Sequence, residues 1–125
     1  MTMDNLRIAL RIVFYEEDNE WVAHCLEFDL VGVGADKQSA IKQLADAIFV
    51  QASATLKSKN LKNLFRPADG EYLRRFAAGV DVAAAELAFE IKSPKSVTFE
   101  RTEARIWRPT PPSPARKPRR ARVVA

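Results

Sequence analysis

The sequence holds one cysteine, one histidine and four glycines in 125 residues. A single cysteine excludes an intrachain disulfide, and one cysteine with one histidine excludes a Cys/His zinc site within one subunit. No apolar run approaches the ~18 residues that a membrane helix needs. The opening Met1-Thr2-Met3-Asp4-Asn5 lacks the basic-then-apolar layout of a signal peptide. These absences point to a cytoplasmic protein with no membrane partner. What is present suits a single domain: 47% hydrophobic residues, in a chain long enough to bury roughly two-thirds of its unfolded surface.

Acidic residues are missing from one region only. Between Arg105 and Ala125 there are seven basic side chains (Arg105, Arg108, Arg116, Lys117, Arg119, Arg120 and Arg122) and no acid. The other 104 residues keep 13 of the 20 basic residues against all 16 acidic ones. The net charge of +4 is thus the sum of a mildly acidic body and a cationic tail. Five of the seven prolines (Pro109, Pro111, Pro112, Pro114 and Pro118) fall in the same stretch. Proline lacks an amide donor, so residues 105–125 are expected to form a disordered arm beyond a folded domain of residues 1–104.

The body opens with strict alternation. Leu6, Ile8, Leu10, Ile12 and Phe14 share one parity, the signature of a strand with one buried face. Asp18-Asn19 can supply a tight turn into a second strand, Trp21 to Leu26, and Leu30 to Gly34 reads as a third. Gly32 and Gly34 mark bulges or close backbone approaches. Asp36 can cap a helix over about Lys37–Lys57, in which Ile41, Leu44, Ala45, Ile48, Phe49, Ala52 and Leu56 form one apolar stripe. Val50 lies opposite, either as a lone exposed residue or as a partner contact. Glu71 to Ala78 reads as a short helix ended by Gly79, and Leu87–Ile91 and Val97–Phe99 as a closing hairpin across Ser93-Pro94-Lys95-Ser96. The expected fold class is α+β: a small antiparallel sheet, β-β-β-α-β-β, covered by one main helix.

The segment from Val13 to Ala47 resembles the HicB-type domain, the antitoxin half of HicBA toxin–antitoxin pairs. The resemblance rests on the hairpin Val13–Ala23, the stretch His24-Cys25-Leu26-Glu27-Phe28-Asp29-Leu30-Val31-Gly32-Val33-Gly34, and the helix opening Ser39-Ala40-Ile41 with Leu44 and Ala47-Ile48. It implies a partial RNase H-like fold, no catalytic residues and no cofactor. The implied partner is a HicA-like toxin, a small basic mRNA interferase. Many such antitoxins end in a DNA-binding helix-turn-helix or ribbon-helix-helix, and nothing here resembles either.

Three functional readings follow. In the first, Glu16, Glu17, Asp18, Glu20, Glu27 and Asp29 form an acidic surface that occludes a basic toxin, and no residue is catalytic. In the second, the seven tail cations bind nucleic acid through its phosphates. In the third, Glu27 and Asp29 share a strand face about 7 Å apart and begin the divalent-metal site of a nuclease, although convincing further carboxylates are missing. His24 and Cys25, adjacent on a strand, point to opposite faces and cannot act as a base–nucleophile pair. Bare sheet edges argue for a homo-oligomer under any reading.

Overall fold

The computed structural model describes residues 6–82, 91–92, 94–95 and 97–109. Three strands, β1 (Leu6–Glu17), β2 (Glu20–Cys25) and β3 (Leu30–Gly34), run as an antiparallel meander. Helix α1 (Lys37–Lys57) follows, then a 3₁₀ turn (Leu61–Leu64) and helix α2 (Gly70–Ala78). A two-residue strand, β4 (Val80–Asp81), and a long one, β5 (Val97–Ile106), complete the domain. The sheet order is β3-β2-β1-β5-β4.

The α+β class and the single main helix stand, but the sheet is mixed. Strand β5 pairs with β1 in parallel, from Leu6↔Val97 to Phe14↔Ile106, with a bulge between Ile8 and Ala9. The meander uses up one side of β1. The chain then crosses back over the sheet and enters the other side in the same direction, as only a long crossover allows. The hairpin expected between Leu87–Ile91 and Val97–Phe99 lies largely outside the described residues. Ile91 itself is not in a strand, and it packs against the core. The neighbour that pairs antiparallel with β5 is instead β4.

The alternating face of β1 packs as its parity requires. Ile8, Leu10, Ile12 and Phe14 join Ala23, Cys25, Ile41, Leu44 and Ile48 in one buried cluster beneath α1. Asp36 caps that helix, its carboxylate accepting the Ser39 amide at 2.7 Å. The Ser39 amide and hydroxyl hold the Asp36 carboxyl below its ordinary range. Phe49 sits at the margin of the stripe, 39% exposed, and Val50 on the outer face is 65% exposed.

Two features were not visible as periodicity. The first is the contact between α1 and β3. A Cβ on Gly32 would stand 2.3 Å from both the Ala40 carbonyl oxygen and the Leu44 nitrogen, and one on Gly34 would stand 2.6 Å from the Ser39 Cβ. The glycines let the helix backbone lie directly on the strand. The second is that the sheet's opposite face is half covered. Val13, Tyr15, Val22 and Leu26 are buried there against Ala68 and Phe76, with Tyr72 and Trp107 packed at their edge. Further along the same face, Arg7, Ala9 and Arg11 remain exposed.

The outer edge of β3 is partly occupied. The Gln43 side-chain oxygen accepts the Val33 amide at 2.6 Å, taking a position through which a second copy would pair. Among the described residues no helix is long and apolar enough to cross a membrane.

Candidate functional site

The acidic residues divide between the two ends of β2. Glu16, Glu17, Asp18 and Glu20 surround the β1–β2 turn and all are exposed. Asp18 and Asn19 have φ values of 53° and 64°, the paired left-handed conformation of a two-residue hairpin turn, which Asp and Asn tolerate better than most residues. Glu17 stands directly opposite Glu20, and Glu16 opposite Trp21. Among the described residues none of these four carboxylates has an ion-pair partner. Two cations flank the site on Trp21: the Lys37 ammonium lies 4.5 Å from its ring centre and the Arg108 guanidinium 5.9 Å.

Glu27 and Asp29 lie roughly 20 Å away, the span of six strand residues, and do not belong to that surface. The strand ends at Cys25 and the chain turns through Leu26–Asp29, so the two carboxylates share no strand face. Glu27 caps the β1–β2 ladder. Its two oxygens accept the Arg11 amide and the Arg11 Nε–H, both at 2.7 Å, while the Leu26 amide bonds the Arg11 carbonyl. Glu27 is thereby spent on the fold. Asp29 accepts from His24 instead. The metal site of a nuclease loses its founding pair, and no group of three or more His, Cys, Asp or Glu side chains among the described residues could hold a metal ion.

His24 overturns its expected half-exposed setting: it is 3% exposed. Its Nε2 lies 2.7 Å from Asp29 Oδ1 and its Nδ1 2.9 Å from the Tyr15 hydroxyl. A carboxylate can only accept, so Nε2–H donates to Asp29, leaving Nδ1 to accept from Tyr15. The Tyr72 ring lies 4.4 Å from the imidazole, centre to centre. The Arg75 guanidinium sits 4.6 Å above Tyr15, 5.1 Å from Tyr72 and 4.3 Å from Trp107, and pairs with Glu71 at 2.8 Å. Burial pushes the Tyr15 phenol above its ordinary range, Tyr72 and Glu17 add to the rise, and Arg75 opposes it. Donors and acceptors are matched along this chain, which ties α2 and Trp107 to the sheet.

Cys25 faces the other way, fully buried with Ala23 beneath α1. Burial, with the Glu27 charge adding to it, pushes its thiol up from 9.0 to about 12. The folded protein keeps a proton that the unfolded chain gives up near pH 9. This thiol therefore leaves stability unchanged below about pH 9 and lowers it between about 9 and 12, by on the order of 4 kcal/mol in all. Urea melts between pH 8 and 11 are expected to show falling midpoints. Iodoacetamide at pH 8 should label Cys25 only in unfolded protein, which mass spectrometry reads directly.

The cationic tail begins later than its charge alone implied. Arg105 is a residue of β5, bonded to Asp81 at 3.1 Å and to the Phe76 carbonyl at 3.0 Å, with its guanidinium 4.4 Å from the Phe76 ring. Trp107 donates its amide to the Phe14 carbonyl at 2.8 Å and extends the parallel ladder one step. Arg108 belongs to the Trp21 contact. Arg116, Lys117, Arg119, Arg120 and Arg122 lie outside the described residues. Against this geometry, comparison with family models, with curated proteins and with solved structures finds no match to the chain.

Proposed function

We propose that this protein is a non-catalytic, HicB-like binding module, an antitoxin or a solitary relative, that neutralises a small basic HicA-type mRNA interferase by occlusion. The observation that carries the proposal is the hairpin tip. Four carboxylates stand exposed without an ion-pair partner among the described residues, and two of them, Glu17 and Glu20, are directly cross-strand. Like charges in that position destabilise a hairpin, whereas opposite charges stabilise it by about 0.2–1 kcal/mol. A surface shaped for stability alone would place a lysine at one of the two sites. A cationic partner relieves the repulsion on docking, so energy lost in the free protein returns in the complex. The order of elements, three strands, a helix and a later strand in one sheet, is also the one the resemblance implies. Glu27 and Asp29 drop out of the partner surface.

Stability and binding should therefore move in opposite directions. Glu20→Lys is expected to raise the urea midpoint slightly, by the equivalent of about 0.5 kcal/mol. It should weaken binding to the HicA-type protein encoded beside this gene by about tenfold or more. Neutralising the tip (Glu16→Gln, Glu17→Gln, Asp18→Asn, Glu20→Gln) should remove most of the salt dependence of binding, measured by calorimetry at two ionic strengths. Binding indifferent to both changes, or no binding to such a protein, would contradict the proposal.

A further inference from the structure

At the end of the sheet away from the hairpin tip, a pocket of about 180 Å³ opens between the turn after β2, helix α1 and the 3₁₀ turn. Phe28, Leu30 and Leu64 supply its apolar part, and Asp29, Gln51, Asn63 and Arg66 its polar part. The walls are fixed by contacts that owe nothing to a ligand. The Arg66 amide donates to the Glu27 carbonyl at 3.1 Å and the Ala68 amide to the Leu26 carbonyl at 2.9 Å. The Phe28 and Phe65 rings meet edge to face at 5.6 Å.

The polar groups are arranged unusually. Asp29 holds a left-handed backbone, φ 53°, a conformation that non-glycine residues keep only where the surroundings enforce it. The enforcing group is His24, which bonds Asp29 Oδ1 and, being 3% exposed itself, orients the carboxylate from behind. That carboxylate is still 49% exposed. Arg66 lines the same small space, yet it forms no ion pair with Asp29 or with any other carboxylate among the described residues. Within the same residues the Gln51 and Asn63 side chains make no hydrogen bond. Two opposite charges are thus held over one cavity without meeting, flanked by two amides with unused donors and acceptors.

We propose that this pocket binds an amino-acid-sized zwitterion with an aliphatic side chain, its ammonium on Asp29, its carboxylate on Arg66 and its hydrocarbon on Phe28, Leu30 and Leu64. The volume equals that of about six waters and falls below the ~300 Å³ at which cofactor and drug-sized sites begin, so a nucleotide does not fit. A simple anion would face Asp29 and a simple cation would face Arg66; only a ligand carrying both charges satisfies the pair. The Asn63 and Gln51 amides, which both donate and accept, complement either end. His24 acts as a positioning residue for Asp29. The site is remote from the hairpin tip and independent of the partner proposed there.

The test uses the full chain with L-leucine, leucinamide (no carboxylate) and 4-methylpentanoate (no ammonium), with affinities taken from amide chemical-shift titrations. L-leucine is expected to shift the signals of Asp29, Asn63 and Arg66, and each analogue to bind at least about tenfold more weakly, the value of one charged hydrogen bond. Arg66→Gln should cost leucine the same factor and leave leucinamide unchanged. Asp29→Asn, which keeps the left-handed backbone accessible, should cost leucine affinity and leave 4-methylpentanoate unchanged. Thermal melts establish that both variants fold, and the analogue series on the unaltered protein decides the question if either does not. No shift at about 10 mM leucine, equal binding of the three compounds, or leucine affinity unmoved by both substitutions would overturn the assignment.

Discussion

Gly32→Ala is expected to cost at least about 3 kcal/mol, a large share of the 5–15 kcal/mol that holds a domain together. The new methyl would stand 2.3 Å from the Ala40 carbonyl oxygen and from the Leu44 nitrogen, and 2.9 Å from the Leu44 Cα. These are backbone atoms of one helical turn, so no rotamer change removes the clash, and relief requires the whole of α1 to lift from β3. Lifting it loosens Ile41, Leu44 and Ile48, each fully buried. Two companions calibrate the measurement. Gly34→Ala meets the Ser39 Cβ at 2.6 Å and the Ala40 nitrogen at 2.8 Å, at the start of the helix where the chain yields more readily. Gly70→Ala, at the first position of α2, meets only the end of the Arg74 side chain at 3.3 Å. It should be neutral or slightly stabilising through loss of unfolded-state freedom. Urea midpoints in the order Gly70→Ala, Gly34→Ala, Gly32→Ala, from highest to lowest, are the expected result. A Gly32→Ala protein as stable as its parent would show that helix and strand are not in backbone contact.

His24→Ala should come second, at about 3–5 kcal/mol. It leaves a cavity among Tyr15, Tyr72 and Asp29 and strands the Tyr15 hydroxyl, which is buried with no other acceptor described. The two contributions separate experimentally. His24→Phe keeps most of the volume and loses only the polar match, for about 1–3 kcal/mol. Adding Tyr15→Phe to it removes the stranded hydroxyl, and the double variant should regain part of the loss. If the double variant were less stable than His24→Phe alone by the full cost of Tyr15→Phe, the Tyr15–His24 bond would carry no coupling.

How much of this could be read from the chain depends on what announces itself locally. The face of Leu6, Ile8, Leu10, Ile12 and Phe14, the Asp18–Asn19 turn, the Asp36 cap and the α1 stripe are set by residues within a few positions of one another, and all occur as expected. The two glycines flagged a close approach, and one was found. The burial of Val13, Tyr15 and His24 was illegible because it is conferred by α2 and Trp107, far off in sequence. The parallel pairing of β5 was illegible for a related reason: no turn marks a parallel partner. Composition misplaced two residues. Arg105 was assigned to the tail by its charge, although its neighbours Ala104 and Ile106 carry a strand's alternation. Glu27 was assigned to a surface by its charge, although its carboxylate completes the β1–β2 ladder.

The parallel strand has a consequence for the order in which the protein can be completed. Strand β1 lies at the centre of the sheet, yet one of its two edges is filled only by β5. That strand begins about eighty residues after β1 ends, a delay of roughly 4–16 s at ribosomal rates. Throughout that interval the nascent meander carries Leu6–Phe14 as an open, apolar, pairing-competent edge. Newly made chains are therefore most exposed to wrong partners before Val97–Ile106 has left the ribosome. Slow translation of the final third should lower the soluble yield more than the stability of the finished protein would suggest.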